Sequence, residues 1–185
     1  MNPPNTSREE IMRVSRKIVS EKGLPALNMR TLAKECGIAL GTLYNYYSDK
    51  DELVVAAIES VWQDILEKSA PDSGVRFSQY VTQIYARILS GLKDYPDFFA
   101  AHAISVAGSA KGKARGTMER CFGKIRMELH AALRKDKNVD RSIFSETFRE
   151  ENLIGHILDT ITISIINGKP DCAELTEILD RLLYR

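Results

Sequence analysis

The residues of this chain whose types and spacing can do chemistry lie between positions 27 and 53, in LNMRTLAKECGIALGTLYNYYSDKDEL. The set left facing outward there is Leu40, Gly41, Thr42, Tyr44, Asn45 and Tyr46: hydroxyls, one amide, one apolar side chain and no acid. Such a face suits DNA. Hydroxyl and phenol O–H groups donate to phosphate, an Asn amide pairs with adenine, and a Leu can touch a thymine methyl. Lys50 follows at the opening of the next helix, where a cation and free backbone N–H groups can meet one phosphate. Arg30 supplies a further cation for phosphate or a neighbouring base. The competing reading is an ordinary helical hairpin with exposed tyrosines, which the absence of acids on this face disfavours.

Two short helices must position those groups. Thr31 to Cys36 forms one helical run with Leu32, Ala33 and Cys36 on its inner face. Gly37 supplies the residue that can take positive φ just past a helix end. Ile38 plugs the corner, and Ala39 to Tyr47 forms a second helix with Leu43 and Tyr47 turned inward at i, i+4. That is the helix-turn-helix plan, whose second helix enters the major groove.

The segment resembles the N-terminal domain of the tetracycline-repressor (TetR) family of bacterial transcriptional regulators. The carrying residues are Ala33, Gly37-Ile38, Gly41-Thr42-Leu43-Tyr44, Tyr46-Tyr47 and Lys50-Asp51-Glu52-Leu53, extended upstream by Ile11 to Gly23 and Leu27 to Ala33. The resemblance implies an all-α chain: a three-helix head over residues 1–52 and a helical effector-binding and dimerisation domain over 53–185. It implies DNA contacts from Arg30, Leu40, Gly41, Thr42, Tyr44, Asn45, Tyr46 and Lys50. Ala39-Leu40 departs from the polar or basic pair often found there, which shifts the expected readout at Leu40 toward methyl contact or DNA shape. An effector cavity is implied in the larger domain, with Trp62, Phe77, Tyr80, Tyr85, Phe98, Phe99, His102, Phe122 and Phe148 as candidate lining. Each of these is equally at home in a plain core. The last two helices are expected to pack in a homodimer through Phe144, Phe148, Gly155, Leu158, Thr162, Ile165, Leu175 and Leu179. The implied partners are palindromic operator DNA, a small-molecule effector and a second copy, with no cofactor and no membrane.

Composition agrees without deciding the matter. The chain has 185 residues, 44% hydrophobic and 28% charged, an ordinary globular balance. Its net charge is only +1, yet residues 1–50 hold eight Lys/Arg against five acids. That asymmetry points toward DNA but is small. No apolar run approaches a membrane span, the N-terminus has no hydrophobic signal core, and Cys36, Cys121 and Cys172 form no disulfide framework, so a reducing cytoplasm is expected. Catalysis is not expected. His102, His130 and His156 lack metal-site spacing, the acids read as solvated helix faces, and no P-loop, GxGxxG or GxSxG occurs.

Apolar residues recur at helical spacing almost throughout. Expected helices run from Ser7 to Lys22, from Lys50 to Ser69, over 75–94, from Pro96 through Val106, from Met118 to Arg134, from Ser142 to Asn167 and from Asp171 to Tyr184. The basic GSAKGKARG stretch at 108–116 reads as a solvated loop or helix start.

Overall fold

The computed structural model describes residues 6–67, 74–96, 98 and 113–184, the last stretch by backbone alone up to residue 121. All regular structure among them is helical: α1 (Arg8–Lys22), a 3-10 turn (Leu24–Ala26), α2 (Met29–Glu35), α3 (Leu40–Tyr44), α4 (Lys50–Glu67), α5 (Phe77–Leu92), α6 (Lys113–Lys135), a second 3-10 turn (Arg141–Ile143), α7 (Glu150–Ile166) and α8 (Ala173–Leu183). The all-α class and the helical order expected from periodicity therefore hold. Of the stretch expected to open at Pro96, Phe99, His102 and Val106 lie outside the described residues.

Three boundaries differ for identifiable reasons. The recognition helix ends at Tyr44 rather than Tyr47, because the N–H groups of Asn45 and Tyr46 bond to Thr42 and Leu43 at i−3, tightening the last turn. The helix expected from Ser142 opens only at Glu150. Ser145 ties off the preceding loop by accepting the Phe148 N–H at 3.0 Å, and the Asn152 side chain accepts the Arg149 N–H at 2.9 Å. The end of the basic stretch is helical from Lys113.

The described residues form two compact units, one drawn from residues 1–65 and 91–119, the other from 66–90 and 120–185. In the first, Ile11, Ile18, Leu27, Leu32, Leu43, Leu53, Ala57 and Val61 are buried, as their i, i+3, i+4 spacing requires. Trp62 is fully buried, edge-on to Phe98 at 6.1 Å between ring centroids. Gly91 lets two helices approach closely: a Cβ there would lie 2.6 Å from Cγ2 of Ile65. Arg16 donates to Ser60 at 2.5 Å and faces Asp64 at 3.9 Å, and Asp64 accepts the Tyr95 phenol proton at 2.7 Å. Burial first, then that bond, pushes the Tyr95 phenol far up.

In the second unit, Phe77, Val81, Ile84, Tyr85, Ile88, Ile125, Leu129, Leu133, Ile154, Ile157, Leu179 and Leu183 make the core. Its polar knot is Asp136, a buried carboxylate. It accepts the Phe77 N–H at 2.9 Å, capping α5, the Asn138 N–H at 2.9 Å and the Tyr184 phenol at 2.7 Å. Burial pushes this carboxyl up, but the bonds from Tyr184, Phe77 and Asn138, with nearby Arg76, together hold it below the usual aspartate value. A depressed pKa contributes stability that is present above about pH 4 and lost as pH falls through the folded-state value. Asp136→Asn is expected to lose about 1–2 kcal/mol at pH 7, the worth of a helix cap. The gap to the wild type should close on acidification, in urea melts at pH 7 and pH 3. An equal gap at both pH values would rule out the carboxylate as its source.

Candidate nucleic-acid interface

Asn28 starts the turn by accepting the Thr31 N–H at 3.0 Å, which fixes the opening of α2 and leaves Arg30 exposed. Gly37 ends α2 with φ +66°. The Ile38 N–H reaches back to the Ala33 carbonyl at 3.0 Å and the Gly37 N–H to Lys34 at 3.1 Å, the paired bonds of a Schellman cap. A side chain at position 37 would be strained in that conformation, so the glycine sets the angle at which α3 leaves. On α3, Leu43 is fully buried and Tyr47 nearly so, as expected. The opposite face carries exposed Gly41, Tyr44 and Asn45 and half-buried Leu40 and Thr42; Tyr44 is 49% exposed. Lys50 is exposed at the start of α4. Cys36, expected on the inner face, is half-buried, and burial pushes its thiol up.

The expected cavity and interface residues are distributed differently from one another. Trp62, Phe77, Tyr85 and Phe98 are fully buried and Tyr80 nearly so, while Phe122 and Phe148 are half-buried. Tyr80 borders a small polar crevice of about 260 Å³ with Arg76, Lys135, Asp136 and Lys137. A larger groove of about 520 Å³ runs between α7 and α8, and of the described candidate cavity residues only Phe148 borders it. Leu158, Leu175 and Leu179 are covered within the chain, whereas Phe144, Phe148, Gly155, Thr162 and Ile165 are partly open. A Cβ at Gly155 would meet nothing within 4 Å, so among the described residues no other element comes that close. The residues offered outward are instead Ile163 and Ile166 on α7 and Ile178 and Leu182 on α8, exposed at 57%, 58%, 59% and 38%. Among the described residues no group of His, Cys, Asp or Glu could hold a metal ion, and no helix is long and apolar enough to cross a membrane.

Residues 11–57 match the family model of bacterial regulatory proteins, tetR family. Over these residues the chain is similar to the tetR family. Over 99 residues the chain is 33% identical to an uncharacterized HTH-type transcriptional regulator of Haemophilus influenzae, covering 47% of this chain and 53% of that one. It is 31% identical over 78 residues to the HTH-type transcriptional regulator UidR of Escherichia coli, covering 42% and 40%. The chain thus spans about half or less of the length of these curated relatives, all of them transcriptional regulators rather than enzymes. Its fold is similar to the multidrug binding protein EbrR complexed with ethidium, with a TM-score of 0.65 at 19% identity over 96% of this chain and 99% of that one. It is similar also to a tetR-family transcriptional regulator from Streptomyces coelicolor, with a TM-score of 0.64 at 13% identity over 93% and 76%.

Two features of this head escaped the sequence. Arg8, the first residue of α1, donates to the Tyr46 carbonyl at 2.8 Å and lies over the Tyr47 ring at 5.2 Å. The Tyr46 phenol in turn donates to the Thr6 carbonyl, so this side chain ties the chain's N-terminal residues to the end of the recognition turn. Such pairs, about forty positions apart, leave no periodic trace in a sequence. The α4 start is also more occupied than expected. Asp49 accepts the Glu52 N–H at 2.7 Å, and Glu52 folds back on the Ser48 N–H at 2.7 Å and its hydroxyl at 2.8 Å. Those bonds hold the Glu52 carboxyl below its usual range. A phosphate there would meet Lys50 rather than a bare helix end. The Ser-Asp-x-x-Glu spacing is the signal that could have revealed this cap.

Proposed function

We propose that the chain is a dimeric transcriptional regulator whose two tetR heads bind the halves of a palindromic operator. It acts as a repressor released by a small-molecule effector. The carrying observation is the polarity of α3: Leu43 and Tyr47 anchor one side, and Gly41, Tyr44 and Asn45 stand exposed on the other. Arg30, Leu40, Thr42 and Lys50 flank that face as base and backbone contacts, and Tyr46 holds its end. Residues 1–52 act as the head and 53–185 as the effector-binding and dimerising part. The open α7–α8 groove, bordered by exposed Ile178 and Leu182, supports a homodimer, which would place two heads about one helical turn apart. Effector binding would favour a spacing of the heads that no longer fits two successive major grooves, a coupling of about 1–3 kcal/mol. The aromatic residues of the larger part suggest an apolar or aromatic effector, and the site of action would be the cytoplasm. One observation favours a second reading, an activator or partner-controlled regulator without a small ligand: the described aromatics Trp62, Phe77, Tyr85 and Phe98 are already packed into cores. A helical scaffold that binds no DNA would need the tyrosine-bearing face covered.

Fluorescence anisotropy on DNA upstream of the chain's own coding sequence, at two salt concentrations, tests this. Two subunits per site with a steep salt slope is the expected result. Proflavin and ethidium, with which EbrR was crystallised, are the first effector probes. Failure to select any duplex from a random pool would overturn the regulator reading.

A further inference from the structure

The outward face of α3 carries no cationic side chain, the type that reads guanine in a bidentate pair. In the major groove guanine is picked out by Arg or Lys donating to O6 and N7, whereas thymine offers a methyl group and adenine a donor–acceptor pair that fits an Asn amide. From Ala39 to Tyr47 there is no Lys, Arg, His, Asp or Glu. What this stretch presents is half-exposed Leu40 in the first turn and exposed Asn45 just past the last. The Thr42 and Tyr44 hydroxyls serve phosphate or either base pair and do not discriminate. Gly41, beside Leu40, is not required by the chain itself. A Cβ there would meet nothing within 4 Å, and its φ is not positive. A glycine inside a helix costs about 1 kcal/mol relative to alanine, so its use here calls for something outside the chain that comes close. The cations Arg30 and Lys50 stand on other helices, α2 and α4.

From these observations we infer that the base pairs under α3 are A·T, read through thymine methyl groups against Leu40 and through adenine on Asn45. The inference rests on the DNA-binding reading above and adds the class of base that the site takes. Gly41 provides the room for the methyl-bearing edge to approach, and any guanine in the half-site falls outside the α3 footprint.

The test selects duplexes from a random pool with the full chain, then measures the enriched operator by anisotropy with single thymines replaced by uracil. That exchange removes the methyl and keeps the pairing. A·T pairs at the centre of each half-site are expected, with one uracil position per half-site weakening binding about four-fold, the worth of one buried methyl. Leu40→Ala should bind more weakly and lose its sensitivity to that uracil. G·C pairs at those positions, or indifference of the wild type to every uracil, would overturn the inference while leaving DNA binding in place. An undiminished uracil effect in Leu40→Ala would remove Leu40 from the role. Enrichment of no duplex would overturn the DNA-binding reading itself.

Discussion

Tyr44→Ala is expected to weaken operator binding strongly while leaving the protein folded and its oligomeric state unchanged. Tyr44 is half exposed on a helix whose opposite side is buried, and its phenol is the largest group on the proposed DNA face. Losing one such contact costs about 1–3 kcal/mol, and a dimer loses two. Operator affinity should therefore fall by roughly 30-fold to 10⁴-fold. Removing an exposed side chain shifts stability by less than about 0.5 kcal/mol, so the melting curve should barely move. Tyr47→Ala, three residues on, separates the two kinds of effect. Tyr47 is 2% exposed and sits under Arg8, so its truncation opens a cavity in the head and should cost about 3–5 kcal/mol of stability. Anisotropy and thermal melts on both variants decide the matter. Normal operator affinity in Tyr44→Ala would sink the assignment of this face.

The contrast between those two tyrosines also marks what was legible in the sequence. Leu43 and Tyr47 share one face at i, i+4, so their burial follows from helix geometry alone, and Gly37 announces its own positive φ. Local chemistry of this kind carried the head and the helical order. Tyr46 could not be resolved the same way. It sits between exposed Asn45 and buried Tyr47, and its phenol is claimed by Thr6, forty positions away. The segment from Phe144 to Arg149 failed for another reason: its apolar residues continue the helical pattern, and two side-chain bonds from Ser145 and Asn152 outweigh that weak preference. On α7 the difficulty was phase. Its last turns carry Ile161, Ile163, Ile165 and Ile166 on several sides, and such a stretch does not declare which side faces its own chain. Leu158 therefore stood among the expected interface residues although it is covered internally, while Ile163 and Ile166 stand open.

That open face gives the second large effect. Ile178→Glu combined with Leu182→Glu is expected to convert the protein to a monomer that no longer binds its operator tightly. The two residues lie i, i+4 on α8, at the exposed margin of the same groove-lining side whose Leu175 and Leu179 hold α8 to its own chain. Covering an exposed Leu or Ile gains about 1.5–3 kcal/mol, and four such residues per subunit would contribute substantially to a symmetric interface. A carboxylate trapped there without a partner costs about 3–5 kcal/mol, and symmetry imposes it twice. The fold should survive, because both positions are open in the single chain. Sedimentation should return 20.8 kDa for the variant and twice that for the wild type. Gly155→Val offers an independent check: a Cβ there meets nothing within 4 Å among the described residues, so a loss of dimer without loss of monomer fold would place the partner's helix there. A wild type that already sediments at the monomer mass would remove the interface, and with it the paired heads that make a palindromic operator the natural target.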